Sequence, residues 1–319
     1  MINSQSDEIG LPKLWLVCIT VSDKVRYKTI TRKRLLTLEP AEQKRVLQAL
    51  YIENLGRLSG AIDFCQANSI QLYRLSSNTF PFADDVIGKD VLTELAEGLR
   101  QIGHRANALG IRLVLHPDQF IVLNSDRPDV IKNSIKVLAT HARVFDLMGL
   151  PRSSWALMNI HGGKGDRPER LISVIRDLPD PIRLRLTLEN DEYTYSAAEL
   201  LEVCHDAEVP MVFDAHHHVV HEKLESYEDP SVAEMLAAAR TTWTIPEWQL
   251  VHISNGQDFF QDRKHSGLIF DMPSAYKNAP WIEIEAKLKE EAIARVKEKW
   301  LPTLLQAQVL PQECQAALI

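Results

Sequence analysis

The chain has 319 residues, 45% of them hydrophobic, and a formal charge of -7. That is enough apolar material for one large domain, and the charge gives no support to a nonspecific nucleic-acid coat. The start, MINSQSDEIGLPK, has no basic segment leading into an apolar one, and no apolar run is long enough to span a bilayer. The expectation is a cytoplasmic protein without a membrane anchor. Cys18, Cys65, Cys204 and Cys314 form no CxxC pair, which argues against a disulfide framework or a thiolate zinc site.

In chain order, the first strand candidate is LWLVCI (14–19). It is followed by a segment opposite in sign to the whole: Lys24, Arg26, Lys28, Arg32, Lys33 and Arg34, with Tyr27 among them. This is either a solvated loop or a phosphate-binding strip, and its position decides. Further strand candidates are IQLYRL (70–75), IRLVLH (111–116), WALMNIH (155–161), RLRLTLE (183–189), PMVFD (210–214), EWQLVH (247–252) and WIEIEA (281–286). Between them lie stretches with helical apolar spacing at 42–68, 90–110, 129–149, 196–207 and 229–240. Asp90 and Asp129 are candidate N-caps, and Gly110 and Gly149 candidate helix stops. Strands alternating with helices over 1–319 predict a single-domain (β/α)8 TIM barrel. A doubly wound open sheet is the alternative, but no GxGxxG follows the first strand.

The strand ends carry the chemistry. Successive side chains of a strand alternate between faces. Ile111, Leu113 and Leu115 on the helix side therefore turn His116 inward. Met158 and Ile160 oppose His161, Leu186 and Leu188 oppose Glu189, and Ile282 and Ile284 oppose Glu283 and Glu285. Val212 shares a side with Asp214, and Leu250 with His252. Six strands thus end on an inward His, Asp or Glu at the carboxyl face, where barrel active sites sit. His216, His217 and His218 follow Asp214 directly; on extended backbone at most one or two of them can face its pocket. Gathering carboxylates and imidazoles without a counter-ion is costly. A divalent metal supplies one, and a set without thiolates suits Mn²⁺, Zn²⁺ or Fe²⁺.

Several motifs in order carry a family resemblance: LYRLSSNTFPF (72–82), HPDQF (116–120), HGGKGD (161–166), LENDEYTY (188–195), FDAHHH (213–218), HIS (252–254) with His265 beyond it, and EAKLKEEA (285–292). Together they resemble the ultraviolet DNA-damage endonuclease family. The resemblance implies a TIM barrel related in architecture to endonuclease IV, which nicks damaged double-stranded DNA immediately 5′ of ultraviolet photoproducts with a cluster of divalent ions, commonly Mn²⁺, with Zn²⁺ or Mg²⁺ as alternatives. It implies ligands at His116, His161, Glu189, Asp214, His217, His252, His265 and Glu285, leaving His216 and His218 outside the set. Asp84 stands where the family usually has a further His ligand. Hydrolysis is expected to centre on Glu189, His161 and His252, with Glu189 bridging ions. Gln119 and Phe120 occupy the place of the pair that opens the duplex; the competing reading makes Phe120 a core residue. Arg32, Lys33 and Arg34, following the first strand, fall on the metal face and can grip phosphates, as can Lys164 among the rim cations Arg167, Arg263 and Lys264. No obligatory protein partner is implied. Departures from the family are Leu16 and Thr20 near the first strand, and Leu250 where relatives carry a Lys that can be carboxylated. The competing functions are a xylose-isomerase-like sugar isomerase, which gives the basic strip no role, and a lesion-binding protein with a degenerate metal site.

Overall fold

In the computed structural model, which describes residues 11–117 and 120–309, the predicted strands close into a parallel barrel in chain order. They are β1 Lys13–Val17, β2 Leu72–Leu75, β3 Arg112–Leu115, β4 Met158–His161, β5 Leu186–Glu189, β6 Met211–Asp214, β7 Leu250–Ile253 and β8 Trp281–Ile284. Most are shorter than the sequence suggests, because their amino-terminal flanks turn instead of extending. Residues Ser154–Ala156 and Pro246–Trp248 form 3-10 turns, and Asp180–Arg183 a short helix. His116 and Glu285 each lie one residue beyond their strand.

The alternation of faces is realised in the packing. Leu113, Leu115, Ile160, Leu188 and Ile282 join the large core between barrel and helices. Trp15, Val17, Leu72, Val114, Leu157, Val212, Leu250 and Trp281 fill the barrel interior. Each large apolar side chain buried in these layers contributes roughly 1.5–3 kcal/mol. At the amino-terminal end the buried Arg112 donates to the carbonyls of Ser154, Trp155 and Trp248, and its guanidinium lies over the rings of Trp155 and Trp281. Burial lowers its pKa to about 9.

Helices Pro40–Ala67, Pro128–Leu147, Ala197–Ala207 and Pro230–Arg240 cover their expected stretches. The stretch 90–110 instead divides at Leu95 into Val86–Glu94 and Ala96–Ala108, so Asp90 lies inside a helix whose N-cap is Asp85. Gly88 lets that helix press onto the Phe82 carbonyl, which a Cβ would strike. Asp129 is likewise not the cap: Arg127 is, followed by Pro128 at the first helical position. Gly110 and Gly149 do end their helices, at φ +66 and +70. Among the described residues no helix is long and apolar enough to cross a membrane. Cys18, Cys65 and Cys204 are free thiols, while Cys314 lies outside the described residues.

Candidate metal centre

Glu189 is the hub of the carboxyl face. Its Oε2 lies 3.2 Å from His116 Nε2 and accepts from Asn159 Nδ2 at 2.6 Å. Its Oε1 lies 2.9 Å from His252 Nδ1 and 3.5 Å from His217 Nδ1. Strand register delivers these groups, since His161 is opposite Glu189 and Asp214 opposite His252. The residues form three groups whose donor atoms fall within 4.8 Å of one another: His116, His161 and Glu189; Glu189, Asp214 and His217; Asp214, His252 and Glu285. Above them opens a cavity of about 450 Å³ bordered by Cys18, Arg74, Ser77, His116, His161, Glu192, His217 and Glu285.

The three consecutive histidines are not on extended backbone. Asp214 caps the helix Ala215–Glu222, its carboxylate accepting from the backbone N–H of His216 and His217, so the imidazoles fan around a first helical turn. Only His217 reaches the cluster. His216 lies against Tyr227 Oη at 2.7 Å and the Asp262 carbonyl at 2.8 Å, and His218 against Ser231 Oγ. His161 is set by its loop: Gly162 and Gly163 leave room for Tyr195 and Asn124, and Gly163 has φ +81. Asn124 then ties the loop down, accepting from Lys164 N and donating to Lys164 O.

Burial alone would drive Glu189 toward its neutral form, but His252, His161 and the hydrogen bonds of His116 and His252 hold it well below the usual carboxylate range. Burial opposes charge on His217, yet Asp214, Glu189 and Glu192 raise it to about 9. His252 is raised well above the ordinary imidazole value against its burial, by Glu189 and Glu283. His161, where burial dominates, is lowered. A divalent cation fits this donor set, which is purely nitrogen and oxygen, and in which His161 Nδ1 and Asp214 Oδ2 are buried without a hydrogen-bond partner among the described residues.

Other expected site residues lie elsewhere. Asp84 is not brought to the cluster: its carboxylate pairs with Lys136 at 2.7 Å beside a separate cavity bordered by Phe82, Thr140 and His141, so a lysine already neutralises it. His265 stands at the edge, Nδ1 3.9 Å from Glu285 Oε2, in none of the three groups. Phe120 is 85% exposed, which removes the reading of it as core, and Gln119 lies outside the described residues. Arg32, Lys33 and Arg34 are exposed on the short helix Arg32–Leu36 in the segment after β1, with Arg32 leaning on Asp85 and the Phe82 ring. Lys164 is exposed, whereas Arg167 is paired with Asp126. Leu16 and Thr20 are buried in supporting structure, and Leu250 belongs to the apolar layer beneath the mouth.

Sequence reasoning passed over Arg74, Glu192 and the part played by Glu283. Arg74 contacts both Glu283 and Glu285, and Glu192 Oε1 stands 3.8 Å from His217 Nε2. The alternation Leu72, Arg74 on β2 was the available signal for the first, since Leu72 faces the interior.

The pattern of the UV-endonuclease UvdE family matches residues 10–313. The chain belongs to that family. It is 58% identical to a UV DNA damage endonuclease of Nostoc sp. over 91% of both chains. A UV DNA damage endonuclease of Deinococcus radiodurans is 55% identical over 90% of this chain and 95% of the relative. Among solved structures it is similar to that of SacUVDE, with TM-score 0.74 and 26% identity, covering 90% of this chain and 98% of the other. Family membership accounts for the barrel and for the ordered motifs at its carboxyl face.

Proposed function

We propose that the chain is a DNA-repair endonuclease, acting as one domain, which hydrolyses the phosphodiester 5′ of ultraviolet photoproducts in duplex DNA and depends on divalent metal, with Mn²⁺ the first candidate. The observation that carries this reading is the convergence of Glu189 with His116, His161, Asp214, His217, His252 and Glu285 at the open end of the barrel. The endonuclease names borne by relatives at 55% and 58% identity support it. Those seven residues would hold the ions, with Glu189 central, and His265 would join from the edge. When bound, clustered divalent ions supply a hydroxide near neutral pH and neutralise charge on the phosphoryl oxygens.

The chain's own residues do the rest. Asn159 and the flanking imidazoles keep Glu189 ionised and fixed in direction. Arg32, Lys33 and Arg34 on the short helix after β1, and Lys164 in the loop after β4, are exposed and suited to phosphate contacts that fix the duplex without reading its sequence. Phe120 projects into solvent in the loop after β3, where an aromatic can wedge into a weakened stack. A sugar isomerase would use the same architecture but leave these cations and Phe120 without a task.

The test is a nicking assay on irradiated and untreated supercoiled plasmid, with Mn²⁺ or with chelator. Metal-dependent nicking confined to irradiated plasmid is the expected result. Binding of irradiated plasmid without any cut, at any added divalent metal, would identify a lesion-binding protein instead.

A further inference from the structure

Beneath the candidate ligands lies a second layer of buried charge. Glu283 on β8 is 1% exposed and belongs to none of the three donor groups. Strand register sets it opposite His252 on β7 and opposite Trp15 on β1. Its carboxylate contacts the Arg74 guanidinium on one side, and its Oε2 lies 3.1 Å from His252 Nε2 on the other. Buried charge of this kind is costly unless its partners need it.

His252 presents its two nitrogens to different surroundings. Nδ1 faces the mouth, 2.9 Å from Glu189 Oε1 and 3.7 Å from Glu285 Oε1. Nε2 faces Glu283 in ion-pair contact and, among the described residues, has no hydrogen-bond partner. The Trp15 ring meets the imidazole edge to face at 5.9 Å and limits its rotation. A histidine binds metal through an unprotonated nitrogen, and the N–H on its other side needs an acceptor.

We propose that Glu283 is the positioning carboxylate of His252: it accepts the hydrogen bond of the Nε2–H and so directs the Nδ1 lone pair toward the ions, while the Arg74 guanidinium in ion-pair contact aligns it. The proposal rests on the divalent-metal reading above. Arg74 Nη1 also donates to Glu285 Oε1 at 2.6 Å, so one guanidinium ties the outer carboxylate to a candidate ligand. What separates the two carboxylates is position: Glu285 joins a donor group, whereas Glu283 joins none and lies behind His252.

The experiment titrates Co²⁺ into the full-length, metal-stripped protein, following visible absorption and the number of ions bound. Glu283→Gln should weaken Co²⁺ binding about 10- to 100-fold at unchanged stoichiometry and unchanged circular dichroism, with Glu283→Asp recovering part of the loss. Unchanged affinity in folded Glu283→Gln overturns the proposal. So does the loss of one whole equivalent of metal, which makes Glu283 a ligand. Should the variant not fold, nitrogen-15 NMR of histidine-labelled wild type loaded with Zn²⁺ decides: His252 protonated at Nε2 is expected, and protonation at Nδ1 overturns it. Wild type that binds no Co²⁺ or Zn²⁺ would bring down the metal reading first, a result visible before any variant is compared.

Discussion

Glu189 and His252 sit on β5 and β7, with β6 between them, yet Glu189 Oε1 and His252 Nδ1 approach to 2.9 Å across the barrel mouth. A contact that spans an intervening strand makes Glu189 a group that touches both sides of the centre, His116 on one and His252 on the other. Glu189→Gln keeps the size and removes the charge. We expect it to fold and to lose nicking by more than the roughly 100-fold that loss of an outer partner of a ligand costs. Near-normal nicking by the folded variant would remove Glu189 from the reaction.

Metal should also show in the thermodynamics. A ligand that binds only the folded state stabilises it by about 2.7 kcal/mol at a concentration 100 times its Kd. Adding Mn²⁺ to chelator-treated protein should therefore raise Tm and restore nicking together. Elemental analysis of protein purified without chelator provides the independent check. Nicking that survives exhaustive chelation refutes metal dependence.

The basic segment after β1 gives a prediction in salt. Replacing Arg32, Lys33 and Arg34 together by Ala should weaken binding to damaged and undamaged duplex alike and lower the salt slope by up to about three. Because Arg32 also pairs with Asp85, a circular-dichroism melt should accompany the measurement. A slope equal to that of wild type would make the segment a merely solvated one.

Phe120 separates recognition from stability. At 85% exposure its removal should leave the melting temperature of Phe120→Ala close to wild type. Stacking of a base on an aromatic is worth roughly 1–3 kcal/mol, so affinity for irradiated duplex should fall by about 5- to 150-fold. Equal losses on irradiated and untreated DNA would count against a wedge.

Acid stability should report on His141, away from the metal centre. Burial lowers its pKa to about 4 from an ordinary 6.5, with Asp84 opposing. The folded state thus favours the neutral ring, and this contribution is present above pH 6.5 and lost as pH falls toward 4. The shift corresponds to on the order of 3 kcal/mol. His141→Leu should flatten the fall of Tm over that window relative to wild type, and an unchanged acid limb would show that the ring is already solvated.

The barrel was legible because period-two alternation puts Leu and Ile on one face and His or Glu on the other, as in Leu113, Leu115 and His116 or Leu188 and Glu189. Depth along a strand is not written in that period: Glu283 and Glu285 share a face, yet only Glu285 joins a donor group. Asp84 was misplaced for a related reason, since the path of a loop after Phe82 depends on tertiary contacts, here with Lys136. The helix at Ala215–Glu222 did have a sign in the sequence. Asp214 is a strong N-cap residue, and reading it so would have turned the histidines around a helix rather than along a strand.

The lattice of tryptophans around Arg112 makes the centre a blind well. With Trp15, Trp155, Trp248 and Trp281 packed at or below its base, traffic is confined to the rim. A DNA strand cannot thread the barrel; it must be laid over the opening, and a duplex doing so acts as a stopper. Ions held as proposed would load before DNA and leave after it, so a chelator should strip the free protein faster than the protein–DNA complex.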